Sequence, residues 1–197
     1  IEAYNKEKEE TEKAKKENFV ARSVFKLEEL DQTFRLFEPG QQVMDLGACP
    51  GSWSQYASKK IGSSGRIIGV DLTPINVKLD NAVFVQADLR DLNLENLLQE
   101  QGFDRKFDLV LSDMAPKTTG IRMTDQARSL ELCEISLSCA ERFLKPGGHF
   151  VCKFFHSDDF LKLRDQIKNM FSKVEALKPD STRKISKEIF LIGLRKK

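Results

Sequence analysis

Two hydrophobic periods divide the chain. From residue 42 onward, short and almost continuous apolar runs alternate with longer segments whose apolar residues recur every three or four positions. The runs are "QVMDLG" (42–47), "RIIGVDL" (66–72), "AVFVQAD" (82–88), "FDLVLSD" (107–113), "HFVCKFF" (149–155), "KVEALKP" (173–179) and "EIFLIGL" (188–194). They read as strands, and the segments at about 52–60, 91–101, 124–144 and 157–171 read as helices. Near-continuous apolar strands alternating with helices predict an α/β fold, a mostly parallel seven-stranded sheet covered on both faces. The last two strands follow each other with no helix between them, which predicts an antiparallel hairpin at one sheet edge.

Upstream the pattern differs. Residues 1–18 mix Lys and Glu densely with almost no apolar positions. They have no evident face to bury and are expected to form an exposed helix or a disordered arm. "FVARSVFKLEELDQTF" then places Val20, Val24, Leu27 and Leu30 at helical spacing. No repeat or linker divides the remainder, so the chain reads as a charged arm (1–18) followed by one domain (19–197).

Composition narrows the class. At 40% hydrophobic and 31% charged, the 197 residues suit one soluble core, and no apolar run is long enough to span a bilayer. No secretory signal pattern is visible. Four cysteines (Cys49, Cys133, Cys139, Cys152) lack C-x-x-C spacing, and His149 and His156 are the only histidines. A metal site is therefore not expected, and free thiols in a reducing cytoplasm are. The net charge of +2 is weak evidence for a polyanionic partner, although basic residues gather in "KPDSTRKISK" and "LRKK".

The chemistry-bearing residues cluster at strand ends. "VMDLGACPGSW" (43–53) is a strand, a small-residue turn and a helix start, where backbone N–H groups can approach a ligand. It fits a dinucleotide fingerprint poorly: Gly47 is present, but Cys49 and Ser52 stand at the second and third glycine positions, and Pro50 has no N–H to donate. This counts against a nicotinamide-dependent dehydrogenase. Asp71 ends the second strand, where it can accept from ribose hydroxyls, and Asp88 ends the third, where it can accept from an adenine amine. Either could instead be a helix cap. Together with the small-residue loop they describe a site for adenosine without a polyphosphate, which points to S-adenosylmethionine.

Asp113 ends the fourth strand, in "LVLSDMAP". Lys153 interrupts the apolar strand "HFVCKFF"; alternation puts it with Val151 and Phe155 on one face. An ammonium on a covered face must reach solvent along its stem or find a partner. Lys26 between Phe25 and Leu27, and Glu188 at the start of the last strand, are less informative alone.

With these motifs in order, the chain resembles the FtsJ/RrmJ family of S-adenosylmethionine-dependent RNA 2′-O-ribose methyltransferases. The resemblance runs from about Ala21 to the C-terminus. It rests on "ARSVFKLEEL", "VMDLGACPGSWSQYA", "GRIIGVDL", "SDMAP", "LKPGGHFVCKFF" and "KPDSTRKISKEIFLIG", and is closest to bacterial members acting on large-subunit ribosomal RNA. It implies a class I methyltransferase fold and a catalytic tetrad on Lys26, Asp113, Lys153 and Glu188. It also implies cofactor positions on Gly51, Trp53, Asp71, Asp88 and Asp113, to which the loop adds Gly47. Ser52 departs from the second glycine that many bacterial members carry, and relatives acting on tRNA also have serine there. No added S4-type RNA-binding domain is recognisable. The expected partner is ribosomal RNA, with a uridine of 23S RNA in the assembled large subunit as the expected target, bound by a monomer. Lys117, Arg122 and Arg128 after "SDMAP", and Arg183, Lys184 and Lys187 between the last two strands, are candidate RNA contacts. Two alternatives stay open: the same chemistry on tRNA, and a non-enzymatic ribosome-assembly factor.

Overall fold

The structure is a computed structural model and describes residues 2–197. Its elements in chain order are α1 (Glu2–Lys16), α2 (Val24–Phe34), β1 (Gln42–Leu46), α3 (Ser52–Ile61), β2 (Arg66–Asp71) and β3 (Ala82–Gln86). There follow α4 (Leu94–Glu100), β4 (Phe107–Ser112), α5 (Arg122–Phe143), β5 (Leu144–Phe155), α6 (Phe160–Met170), β6 (Phe171–Leu177) and β7 (Glu188–Lys196). All seven expected strands are present, in one sheet of order β3-β2-β1-β4-β5-β7-β6. Every pairing from β3 across to β5 is parallel. β7 runs antiparallel to both β5 and β6, inserted between them, so β6 forms the edge of the hairpin.

The alternation read from the strands divides two cores. Phe150, Cys152 and Phe154 of β5 pack on one face with α4, α5 and α6 through Leu98, Cys133, Ala140, Leu163 and Ile167. Val151 of β5 and Phe190 and Ile192 of β7 pack on the other face with α2 and α3 through Leu27, Leu30, Trp53 and Ala57. Lys153 shares this second face, as its spacing predicts.

Two boundaries differ from the sequence expectation. α2 begins at Val24, and Val20 is exposed, its N–H donating to Gln55 Oε1 at 2.9 Å. β5 starts at Leu144, before Pro146-Gly147-Gly148, where the glycines suggest only a turn.

The N-terminal segment also does more than its polarity suggests. α1 is helical, and it is not without a buried residue: Ala14 is 2% exposed and belongs to the second core. Charge fixes the rest of the contact. Glu10 pairs with Arg22 at 2.8 Å, Glu7 with Arg183 at 2.7 Å, and Lys6 Nζ donates to the Asp180 carbonyl at 2.6 Å. Periodicity misses this docking because charges hold it, with a single alanine beneath them.

Gly193 of β7 shows how closely α6 and β6 press on the sheet. A Cβ at this position would lie 2.6 Å from Phe171 Cδ2 and 3.0 Å from Ile167 Cγ2, and both side chains are fully buried. Overpacking of this kind costs about 1–3 kcal/mol. Gly193→Ala should lower stability by that amount in urea unfolding, without loss of secondary structure by circular dichroism.

Candidate active site

Parallel strands of this order place ligands beyond their C-terminal ends, where the strand order reverses between β1 and β4. A cavity of about 330 Å³ opens there. Gly47, Asp71, Asp88 and Asp113 all line it, so the ends of four strands converge as the sequence implies. Its apolar walls come from Val70, Leu72, Leu89, Met114, Leu132 and Ile135.

The two acids are held in place differently. Asp71 Oδ2 accepts from the Cys49 N–H at 3.0 Å and Oδ1 from the Thr73 N–H at 2.8 Å, which ties the small-residue loop to β2. Asp88 Oδ1 accepts from the N–H of Arg90 at 2.9 Å and from its Nε at 3.1 Å. Those bonds keep the Asp88 carboxyl below its ordinary pKa and leave Oδ2 with no protein donor among the described residues. An adenosine moiety fits this donor set: an apolar slot, a carboxylate at the β2 end for ribose hydroxyls, and an open carboxylate oxygen at the β3 end for an exocyclic amine.

Gly51 and Trp53 take other positions. Gly51 precedes α3 with φ 114°, packed within 2.8 Å of Val77 Cγ2 at a virtual Cβ, so only glycine is comfortable there. The Trp53 indole is buried in the second core against Phe190, centroids 5.7 Å apart, and its Nε1 donates to the Ser23 carbonyl at 3.0 Å. Neither residue lines the cavity, in contrast to the cofactor role that the resemblance implies for them.

The tetrad assembles beside this cavity. Lys153 is 8% exposed, yet its Nζ lies 3.1 Å from Asp113 Oδ1 and 3.8 Å from Glu188 Oε1. Lys26 of α2 donates to Glu188 Oε2 at 2.8 Å. The order is therefore Asp113, Lys153, Glu188, Lys26, with alternating sign and no net charge. Burial pushes the Lys153 pKa down, but the Asp113 and Glu188 carboxylates outweigh it and hold the group above its ordinary value. Burial likewise pushes Glu188 up; Lys153 and then Lys26 more than offset this, and the carboxyl sits below its usual range. Asp113 Oδ1 is in ionic contact with Lys153 but off the direction of a hydrogen bond, so this buried oxygen has no aligned donor among the described residues.

Supports the sequence did not advertise hold these groups. The Cys133 thiol of α5 donates to the Lys153 carbonyl at 2.9 Å, and Ser129 Oγ accepts from the Phe155 N–H at 2.9 Å. Both small polar residues sit at helical positions usually read as neutral filler. On the opposite face, the Ser23 and Ser52 hydroxyls meet at 2.9 Å and join the starts of α2 and α3 near Lys26.

The candidate RNA contacts separate into two groups. Lys117, Arg122 and Arg128 are exposed around the loop before α5 and on its first turns. Lys184 and Lys187 are exposed between β6 and β7. Arg183, in the same loop, is already engaged by Glu7 of α1.

This fold, with a crevice at the switch point lined by strand-end acids and a Lys–Asp pair beside it, is that of a class I methyltransferase. A family model described as FtsJ-like methyltransferase matches residues 19–196, and the chain belongs to that family. It is 74% identical over 185 residues to ribosomal RNA large subunit methyltransferase E of Bdellovibrio bacteriovorus, covering 94% of each chain. It is 49% identical over 188 residues to the protein of the same name from Sorangium cellulosum, covering 95% of this chain and 87% of that one. Among solved structures it resembles a Plasmodium falciparum protein described as a ribosomal RNA methyltransferase, with TM-score 0.79 and 28% identity over 90% of this chain and 98% of that one. Aeropyrum pernix fibrillarin, solved with bound S-adenosylmethionine, shares the fold, with TM-score 0.59 and 16% identity over 80% of this chain and 67% of that one.

One buried acid near the crevice stands outside the tetrad. Asp45 of β1 is fully buried, its Oδ2 accepting from Ser54 Oγ at 2.6 Å and its Oδ1 unpartnered. Burial raises its pKa from the usual 3.8 to about 7, the Ser54 bond opposing and the nearby Asp113 and Asp71 charges adding to the rise. Between those values the folded state binds more protons than the unfolded state, so stability falls as pH rises, until the loss is complete above about 7. Asp45→Asn abolishes this titration. Its melting temperature should therefore gain on the parent's as pH is raised from about 4 to about 8, measured by differential scanning calorimetry.

Proposed function

We propose that this chain transfers a methyl group from S-adenosylmethionine to a ribose 2′-hydroxyl of large-subunit ribosomal RNA. The observation that carries the reading is the buried Lys153 amine, held at the rim of the crevice between Asp113, which lines it, and Glu188. The names of the close relatives support ribosomal RNA as the substrate.

S-adenosylmethionine supplies a methyl group on a positively charged sulfur, whose bond to sulfur breaks as the bond to the ribose oxygen forms. The roles of the chain's own residues follow from the geometry. Asp71 and Asp88 orient the nucleoside, and the first turn of α3 offers N–H donors to a carboxylate. Asp113 has a foot in both sites: it lines the crevice and contacts Lys153.

Lys153 is the acceptor for the 2′-hydroxyl proton. The tetrad is built to hold an ammonium, as the raised pKa of Lys153 shows. A cation placed in the crevice repels that proton and lowers the pKa, which favours the neutral amine able to accept a proton. When Nζ takes the hydroxyl proton, the positive charge lost from sulfur reappears as an ammonium between two carboxylates. The net charge of the site is unchanged through the step, and no charge has to be desolvated anew. Lys26 holds Glu188 and keeps the Glu188 carboxylate ionised.

Lys153→Ala should lose about 10²–10⁴-fold in methyl transfer to large ribosomal subunits while still binding S-adenosylmethionine by calorimetry. With chemistry rate-limiting, the parent's rate should rise with pH through the neutral range, because only the neutral amine accepts a proton. A rate that falls with pH would instead assign an obligatory ammonium. Mass-spectrometric mapping of the modified nucleotide tests the substrate: methylation of bulk tRNA with large subunits untouched would overturn the reading.

A further inference from the structure

A cavity of about 770 Å³ opens between α1 and the turn that joins β6 to β7. Its charges come in two opposed sets. The domain side contributes Arg22, Arg183, Lys184 and one acid, Asp180. α1 answers with Glu2, Glu7, Glu10 and one ammonium, Lys6. With α1 docked these formal charges cancel. Without it the domain side keeps three cations against one acid.

Both arginines turn to α1 for their partners. Glu7 Oε1 lies 2.7 Å from Arg183 Nε, and Oε2 accepts from Arg183 Nη2 at 3.0 Å. Arg22 Nη2 is 3.9 Å from the same Oε2, and its Nη1 donates to Glu10 Oε2 at 2.8 Å. A carboxylate gripped by both teeth of a guanidinium fork, with a second guanidinium nearby, has the geometry in which arginines hold a phosphate. The Ser181 and Thr182 hydroxyls point the same way. Both residues line the cavity and are 7% exposed, yet neither side-chain oxygen has a partner among the described residues. Buried hydroxyls without partners are destabilising, and these two call for an acceptor that the docked helix does not supply. Resting on the proposed function, we infer that Arg22, Arg183, Ser181 and Thr182 form a seat for a backbone phosphate of the RNA substrate, and that α1 is an acidic strap whose Glu7 and Glu10 fill this seat until RNA displaces them.

The two sides are fastened unequally. Glu29 of α2 accepts from the Asp180 N–H at 2.6 Å and the Ser181 N–H at 3.0 Å, so the turn is held to the domain independently of α1. α1 buries one residue, Ala14, and places Lys13 Nζ 4.6 Å from the centre of the Phe25 ring. Its other anchors at the cavity are part-exposed ion pairs and the Lys6 bond to the Asp180 carbonyl. Such pairs contribute little each and are screened by salt, so a polyanion can compete for them. Because α1 is covalently tethered, its carboxylates act at high effective concentration. A single free phosphate competes poorly against them, and a chain of phosphates that also reaches Lys184 competes well. The seat adjoins the active site: Arg22 is four residues before Lys26 and Arg183 five before Glu188, and Lys26 and Glu188 pair at 2.8 Å.

The test measures the affinity of the full chain for a short fluorescein-labelled oligouridylate by fluorescence anisotropy at low salt. Glu7→Gln/Glu10→Gln removes the competing charge and should tighten binding about tenfold. Glu9→Gln/Glu12→Gln removes the same charge from exposed positions of α1 that make no ion pair among the described residues, and should change binding less than about twofold. Adding Arg22→Gln/Arg183→Gln to the first variant should abolish its gain, and adding Thr182→Val should weaken it. In the parent, hydrogen exchange of the α1 amides should quicken when oligouridylate binds. S-adenosylmethionine affinity checks the fold of each variant. Equal gains from the two acid pairs, a gain that survives loss of the arginines or is untouched by Thr182→Val, or α1 exchange that does not quicken would overturn the inference alone. So would a seat that takes oligoglutamate as readily as oligouridylate, since it would then belong to an acidic peptide. Absence of large-subunit methylation by the unaltered protein would overturn the proposed function and the inference together.

Discussion

An ammonium group buried in an apolar strand imposes the central constraint on this molecule. Lys153 on β5 needs carboxylates within contact distance, and its own strand has none to give. Asp113 comes from the end of β4, the parallel neighbour, and Glu188 from the start of β7 on the other side. Glu188 reaches the site only because β7 is reversed. Its first residue pairs with Phe155, the last of β5, so the antiparallel strand brings its beginning to the same sheet end where the parallel strands finish. A parallel β7 would put Glu188 at the opposite end of the sheet. Removing one partner from a buried pair typically costs about 3–5 kcal/mol, so the reversed strand is constrained by charge as much as by hydrophobic packing.

The sheet was readable because its strands are buried on both faces and therefore almost uninterrupted in hydrophobicity. The alternation in "HFVCKFF" identified the face carrying Lys153, since a period of two leaves no third choice. The strand-end acids were readable by position, as Asp71, Asp88 and Asp113 each close an apolar run. The tetrad as a set was not readable from spacing. Lys26 and Glu188 are 162 residues apart, and each looks like an ordinary surface charge in its own segment. Family resemblance joined them, and the structure brings their atoms together.

What the sequence concealed has a common physical origin: short polar side chains acting on distant backbone. Cys133 and Ser129 brace β5 from α5, and Asp31 gathers the Tyr56 hydroxyl and the Leu36 and Phe37 N–H groups at the end of α2. None of these shows a period, because each acts once. Trp53, which the family resemblance places among the cofactor positions, does not line the crevice: its indole is buried against Phe190 of β7 and its Nε1 donates to the Ser23 carbonyl.

The alternating signs of the tetrad also fix where its nitrogen lies. Asp113 and Glu188 tether the Lys153 amine from two neighbouring strands, 3.1 Å and 3.8 Å away. Lys26 pairs with Glu188 at 2.8 Å, so the four formal charges sum to zero. The field of such a neutral cluster falls off faster with distance than that of a lone charge. The tetrad is therefore arranged to position one nitrogen, and any attraction of a polyanion falls to exposed cations such as Arg122 and Lys187, which have no carboxylate partner among the described residues.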